Sequence, residues 1–285
     1  DGCRVDENPD PCSGMGTCPA EQYCEGTVLH TCLSDDDGCA SVRAQQDCAS
    51  EGKVCDDSGG EALCVLADPS APSRQISAVR AAIDAAASLP VLGDWDIDNA
   101  LVTSVKAPQG ADPGGFFIQG ERLGPAIFVL HEDPVGIVEV GDEVSIWLDE
   151  ADLQQGRRVV SGLGWLDILG QGNDVTAWVQ EVSAVDIVSD LDSYDFELIS
   201  LDATVTGAFQ AAGAGFVDAT LTSAGVSGSD QLRLRVPTAL STTLLGGRSD
   251  LIGCDVAIGP SPLWRYLDRA QPTAMELGEI VLTCL

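Results

Sequence analysis

The cysteines of this chain are concentrated at its beginning, and their placement constrains the fold more than any other feature. Nine of the eleven fall within the first 64 residues, at Cys3, Cys12, Cys18, Cys24, Cys32, Cys39, Cys48, Cys55 and Cys64. A segment this rich in cysteine and poor in apolar residues replaces a hydrophobic core with disulfides. No C-x-x-C spacing occurs, and His30 is the only nearby imidazole, so zinc is not indicated. We predict a disulfide-rich module over residues 1–66 and an oxidising compartment.

The odd number of cysteines leaves at least one thiol without a partner in the chain. Cys3 lies closest to the amino terminus, and we expect it to be free or bonded to another chain. The opening Asp1-Gly2-Cys3 has the form of a processed product, and a lipid anchor at this position is compatible with the Gly-Cys pair. No run of apolar residues is long enough for a transmembrane segment.

A linker and a helix follow the module. Residues 67–73 carry two prolines within four residues, which argues against regular structure. From about Arg74 to Ser88, apolar residues recur at helical spacing, with Ser73 as the expected N-cap. Thereafter, β-branched and aromatic runs separated by Gly and Pro predict strands, namely ALVTSV at 100, GFFIQ at 115, AIFVL at 126 and DEVSIWLDE at 142.

The strand pattern repeats in the same order. ALVTSV at 100 corresponds to ATVTGA at 203, GFFIQ at 115 to GFVDA at 215, and VGDEVSI at 140 to IGCDVAI at 252. Three matches in order indicate two copies of one domain, over residues 74–188 and 189–285. Each copy holds about five strands, which fits a small closed barrel and a mainly β protein.

One family resemblance rests on the first copy. Its ALVTSV, GGFFIQG, GPAIFVL and VGDEVSI segments resemble the OB-fold domains attached to secreted bacterial endonucleases and exonucleases. The resemblance implies two OB-like five-stranded barrels in tandem. This sequence departs from the family pattern in two ways. Gly120-Glu121 follows Gln119 where an aspartate is usual, and no nuclease domain follows. The first 66 residues resemble the cysteine-rich modules at the amino termini of secreted myxobacterial proteins.

The second copy contains its own cysteine pair. Cys254 occupies the position that Asp142 occupies in the first copy, and Cys284 ends the last strand. We expect these two to form a disulfide that fixes the C-terminal strand to its neighbour.

Residues with catalytic or metal-binding chemistry are sparse. The only histidines are His30 and His131, and no nucleophile-elbow, zinc-protease or phosphate-loop motif occurs in a suitable context. We therefore expect no enzyme and no required cofactor. Carboxylates could bind calcium where they cluster, and the best such cluster is Asp190, Asp192, Asp195 and Glu197.

Charge bears on the choice of partner. The whole chain has 45 acidic and 14 basic residues, for a net charge of −31. Such a surface repels nucleic acid, so we expect nucleic acid not to be a partner, against what the OB resemblance alone would suggest. The best candidate ligand patch combines the few basic residues with aromatic ones, namely Arg233, Arg235, Trp264, Arg265 and Tyr266.

These observations lead to one functional expectation and two alternatives. We expect an extracellular or cell-surface, non-enzymatic recognition or assembly scaffold, whose partner is an extracellular protein or a second copy of itself. One alternative is a structural subunit of an extracellular polymer or filament, to which the odd cysteine points. The other, from the resemblance, is a set of accessory OB domains in an extracellular nucleic-acid-processing system.

Overall fold

The computed structural model describes residues 22–25, 28–34, 40–48, 53–56, 62–66, 68–110, 112–213 and 215–284. The chain divides into two compact units, Asp1–Pro69 and Ser70–Leu285. The expectation of an unpaired thiol at Cys3 lies outside the described residues. Within those residues, no helix has the length and apolar character needed to cross a membrane.

The first unit is a small disulfide-linked β structure. Its described strands are β1 (Gln22–Glu25), β2 (Val28–Ser34), β3 (Ala40–Asp47), β4 (Lys53–Asp56) and β5 (Leu63–Leu66). Strands β1, β2 and β3 form one antiparallel sheet, and β4 pairs with β5. Disulfides join Cys24 to Cys55 and Cys48 to Cys64. The disulfides supply covalent links where the buried apolar cluster is small.

Helix α1 (Pro72–Ala85) opens the second unit, and it begins before the predicted start at Arg74. Ala71, and not Ser73, is the N-cap, and Pro72 occupies the first turn. A proline is well tolerated there because its missing N–H would have no helical partner in any case. Ile76, Val79 and Ile83 are buried on one face, as their spacing predicts.

The first half of this unit is a closed five-stranded barrel. Its strands are β6 (Val91–Lys106), β7 (Gly115–Gln119), β8 (Ala126–Leu130), β9 (Glu143–Gln154) and β10 (Arg157–Gly170). Their order around the barrel is β10-β8-β7-β6-β9, with β8 and β10 parallel and the other pairs antiparallel. The buried face of α1 packs into the same core. This is the OB-like barrel that the resemblance implied.

The second half is a curled sheet. Its strands are β11 (Gln180–Glu181), β12 (Leu198–Val205), β13 (Gln210–Ala211), β14 (Phe216–Thr222), β15 (Arg233–Pro237), β16 (Asp255–Tyr266), β17 (Arg269–Pro272) and β18 (Ile280–Thr283). Helices α2 (Leu191–Tyr194) and α3 (Thr238–Leu245) complete this half. Two isolated parallel bridges, Leu232 to Ala270 and Arg235 to Thr273, bring the ends of the curl together. This sheet includes β11, which precedes the expected boundary at residue 189.

Two glycines that the predicted repeat aligns have similar local geometry. In the first copy Gly141, at a φ of 89°, donates its N–H to the Val102 carbonyl at 2.9 Å. In the second copy Gly253, at a φ of 82°, donates to the Val205 carbonyl at 2.8 Å. A left-handed backbone at both positions explains why both are glycine. The residue after the second glycine, Cys254, is disulfide-bonded to Cys284.

Candidate functional site

An aromatic cluster joins the two halves of the Ser70–Leu285 unit. Phe117 of β7 and Phe128 of β8 point out of the first barrel and pack against Phe196 and Trp264 of the second half. Their ring centroids lie between 4.7 and 6.0 Å apart. In OB folds the face formed by these two strands is the usual ligand surface. Here that face is covered by the same chain, so a ligand needs another surface.

Buried charged side chains surround this aromatic cluster. We call the aromatic cluster, together with the buried residues Lys106, Asp112, Arg157 and Arg235, the seam. The cationic groups of Arg157, Arg235 and Lys106 lie 4.6, 5.3 and 5.7 Å from the centroid of the Trp264 ring. Asp112 pairs with two of them, at 2.7 Å from Arg235 and 3.2 Å from Lys106. Burial opposes ionisation of Asp112, but these two cations outweigh it and hold the pKa of the carboxyl below its usual value. Lys106, Arg157 and Arg235 are therefore buried inside the unit and do not contribute positive charge to its surface.

The ligand patch expected from the sequence is not an open surface. Arg233, Arg235 and Trp264 are buried, because Arg233 pairs with Asp218 at 2.6 Å and the other two belong to the seam. Arg265 is bonded to Asp192, and Tyr266 alone is exposed, at 37%. Three of the five residues therefore hold the fold together and cannot meet a ligand.

The proposed calcium ligands are also divided. Asp190 accepts a hydrogen bond from Ser193, and Asp192 pairs with Arg158 at 3.0 Å. Asp195 is buried 3.7 Å from Arg158, and Glu197 accepts a 2.5 Å hydrogen bond from Gln180. Across the described parts of the chain, no three His, Cys, Asp or Glu side chains are grouped to hold a metal ion. Local hydrogen bonds or an arginine pair engage Asp190, Asp192 and Glu197, and Asp195 is buried near Arg158, so the structure does not gather these four carboxylates around a common point.

Two of these carboxyls have strongly altered acidity. Burial raises the pKa of Glu197 to about 8 and that of Asp195 to about 6. Both oxygens of Asp195 lack a hydrogen-bond partner. These groups lie beside the seam and make the stability of this unit dependent on pH.

A different surface of the first barrel presents tryptophans to solvent. Strand β9 lies between β6 and β10, and Trp147 of β9 stands directly opposite Asp96 on one side and Trp165 on the other. Residues that pair in this way project from the same face of a sheet. Trp165 is 43% exposed and Trp147 is half-buried. We call this surface the tryptophan face; it comprises Asp94, Asp96, Trp147, Asp149, Trp165 and Asp167.

The Trp147 indole is held in place from two sides. Its ring packs over Gly164 of β10, where a Cβ atom would come within 1.9 Å of Cε3 and 2.0 Å of Cζ3. Its Nε1 donates a 2.5 Å hydrogen bond to Asp94 Oδ1. A side chain at position 164 would displace the ring, which gives a physical reason for glycine in the middle of this strand. The ring is thus fixed before any ligand arrives.

Trp147 was not among the ligand residues expected from the sequence, and the sequence did not predict this surface. The signal was the alternation of Asp94, Trp95 and Asp96 together with the glycines of GLGW at 162–165. Alternation assigns one face to each residue, but it cannot show which strands become neighbours.

The second half has an open groove that lacks stacking groups. It encloses about 580 Å³ on the outer face of β12, β16 and β18. Short polar and small apolar side chains line it, with the carboxylates of Asp202 and Asp255 among them. No aromatic side chain is among its lining residues, so the tryptophan face is the better candidate site.

Comparison with known proteins gives only distant likenesses. No protein-family model matches the chain, and no curated protein matches it. Among solved structures, a p204 HINb domain covers 69% of this chain and 98% of its own length at 9% identity, with a TM-score of 0.31. The match to an Ifi202 HINa domain in complex with 20-bp double-stranded DNA spans 69% of this chain and 100% of that domain, at 10% identity and a TM-score of 0.29. The match to a murine DNA-binding protein bound to double-stranded DNA spans 68% of this chain and 97% of that protein, at 9% identity and a TM-score of 0.33.

This comparison corrects two expectations from the sequence. We expected an extracellular scaffold or polymer subunit, and we expected nucleic acid not to be a partner; the solved structures found include HIN domains, and both the Ifi202 HINa domain and the murine DNA-binding protein are described with double-stranded DNA. Both expectations are abandoned. At these TM-scores the likeness assigns no binding residue to this chain.

Proposed function

We propose that the Ser70–Leu285 unit binds a chain-like polymer on the tryptophan face. The observation that carries this proposal is the placement of Trp147 opposite Trp165 on an outward surface of the barrel. Neighbouring indoles offer the rings of a polymer a surface for stacking. OB-type barrels hold oligonucleotides or oligosaccharides, so both classes of polymer are compatible with the fold.

We also propose binding without catalysis, in a secreted setting. His131 Nδ1 is engaged by the backbone N–H of Asp133, and the sequence offers no other catalytic motif in this unit. The three described disulfides are compatible with an oxidising compartment. The finer likenesses, to nuclease-attached OB domains and to myxobacterial cysteine-rich modules, are consistent with secretion and remain part of this proposal.

Calorimetric titration of the full chain tests polymer binding. The probes are hydroxyethylcellulose, a single-stranded oligo-dT and a double-stranded DNA, the last because two of the solved structures named above contain it. We expect at least one probe to bind, and the double variant Trp147→Ala/Trp165→Ala to bind it about 10-fold or more weakly, since loss of a stacking surface costs about 1–3 kcal/mol.

Trp178→Phe is the matched control, because Trp178 lies in the 3₁₀ turn Thr176–Trp178, outside the tryptophan face. It should bind like the unmodified chain. If no probe binds, or if the double variant binds as well as the control, the proposal is wrong.

A further inference from the structure

We infer that the polymer held by the tryptophan face is an uncharged polysaccharide strand. This inference rests on the proposed function and specifies the class of ligand. Four carboxylates, one fixed indole and one exposed indole share a surface whose strand segments contribute no lysine or arginine, and this juxtaposition is the observation behind the inference.

The charged side chains that the three strands contribute to the tryptophan face are all acidic. Asp94 and Asp96 of β6, Asp149 of β9 and Asp167 of β10 are all exposed around the two indoles. The segments that build the face, 91–97, 143–150 and 162–170, contain no lysine or arginine. The basic residues of β6 and β10 are Lys106, Arg157 and Arg158, which the seam and the ion pairs beside it occupy. A phosphate, sulfate or uronate placed on this face would meet like charge without a counter-ion from the protein.

A neutral sugar ring satisfies both parts of the surface. One face of a pyranose ring carries C–H groups. Their hydrogens can contact the negative face of an indole, just as the positive edge of one aromatic ring contacts the face of another. Its hydroxyl groups lie around the rim and can donate hydrogen bonds to carboxylates, which are strong acceptors. Trp147 is already fixed by Gly164 and Asp94, so binding costs little ordering of that side chain.

Comparing two polymers with the same backbone separates the effect of stacking on binding from the effect of ligand charge. Hydroxyethylcellulose is neutral, and carboxymethylcellulose carries carboxylates on the same glucan chain. In calorimetric titrations at low salt, we expect the full chain to bind the neutral polymer about 10-fold or more tightly than the charged one. In the double variant Asp96→Asn/Asp167→Asn, the charged polymer should gain affinity, so that the preference shrinks by about 3-fold or more.

The outcomes distinguish the two proposals. If oligo-dT, double-stranded DNA or carboxymethylcellulose binds best, and Trp147→Ala/Trp165→Ala abolishes that binding, polymer binding stands and the polysaccharide inference is overturned. If binding of every probe is insensitive to the two tryptophans, both proposals are wrong. An unchanged preference in the aspartate variant also overturns the inference, because the carboxylates would then not select against charge.

Discussion

Gly164 shows how much one missing side chain decides at the tryptophan face. An alanine methyl at this position would occupy the space of the Trp147 ring. We expect Gly164→Ala to displace the indole, break its hydrogen bond to Asp94 and weaken polymer binding about as much as removing Trp147. Calorimetric titration with the best-binding probe measures this loss.

Gly170→Ala on the same strand is the control for that substitution. A Cβ atom there would lie 3.3 Å from Glu143 Oε2, the end of a side chain that can move aside, and 3.8 Å from Asn173 Nδ2, an ordinary van der Waals contact. Equal losses in both variants would show that the strand, and not the indole, responds to the added methyl.

Gln119 is a second residue whose role is local and strict. Its Oε1 accepts the Leu198 N–H at 3.0 Å, and its Nε2 donates to the carbonyls of Glu121 at 2.9 Å and Arg122 at 3.0 Å. Because the side chain is fully buried, Gln119→Leu leaves these groups unsatisfied. We expect a loss of about 2–4 kcal/mol in the free energy of unfolding. Urea denaturation measures it, and exposed Gln210→Leu should change stability by less than about 0.5 kcal/mol.

At the scale of elements, the disulfide between Cys254 and Cys284 ties the end of the chain, just beyond β18, to the residue before β16. The bond closes a loop with a sequence separation of 30 residues. Loop-closure entropy predicts that Cys254→Ser/Cys284→Ser lowers unfolding free energy by about 3–4 kcal/mol. Tryptophan fluorescence during urea denaturation isolates the effect, since all five tryptophans lie in the Ser70–Leu285 unit. An unchanged midpoint would mean that β18 is held by its pairing with β16 alone.

Elements also show what the sequence could and could not reveal. The bounds of β7 and β8 match the predicted runs GFFIQ and AIFVL, because short apolar runs between Gly and Pro are strong strand signals. The structure buries both faces of these strands, because one face lines the barrel core and the other packs into the seam. The partner of Arg235 could not be predicted, because Asp112 lies 123 residues away and no local spacing encodes that contact. For the same reason, alternating Arg233 and Arg235 suggested an exposed patch where the structure buries both.

For the whole molecule, the buried carboxyls predict that stability falls as pH rises. Folded Glu197 keeps its proton up to about pH 8, whereas the unfolded chain releases it near the ordinary pKa of 4.5. Between these values the folded state binds more protons, so each rise of one pH unit costs up to about 1.4 kcal/mol for this group. Asp195 adds a similar cost between its ordinary pKa of 3.8 and about 6.

Glu197→Gln removes the larger of these contributions. Urea denaturation of both proteins from pH 5 to 8 should show the variant gaining on the unmodified chain as pH rises. Parallel profiles over this range would contradict the burial of an uncharged carboxyl beside the seam.

The covered face of the first barrel determines whether either half of the Ser70–Leu285 unit can be separated from the other. Cut away from its neighbour, the first barrel would expose Phe117 and Phe128 to water and leave Asp112 without Arg235. The second half would expose Phe196 and Trp264 in turn, and patches of this kind promote aggregation. The smallest piece that could be grafted onto another protein to carry the tryptophan face is therefore the entire Ser70–Leu285 unit. The repeat visible in the sequence does not mark a place where the chain can be divided.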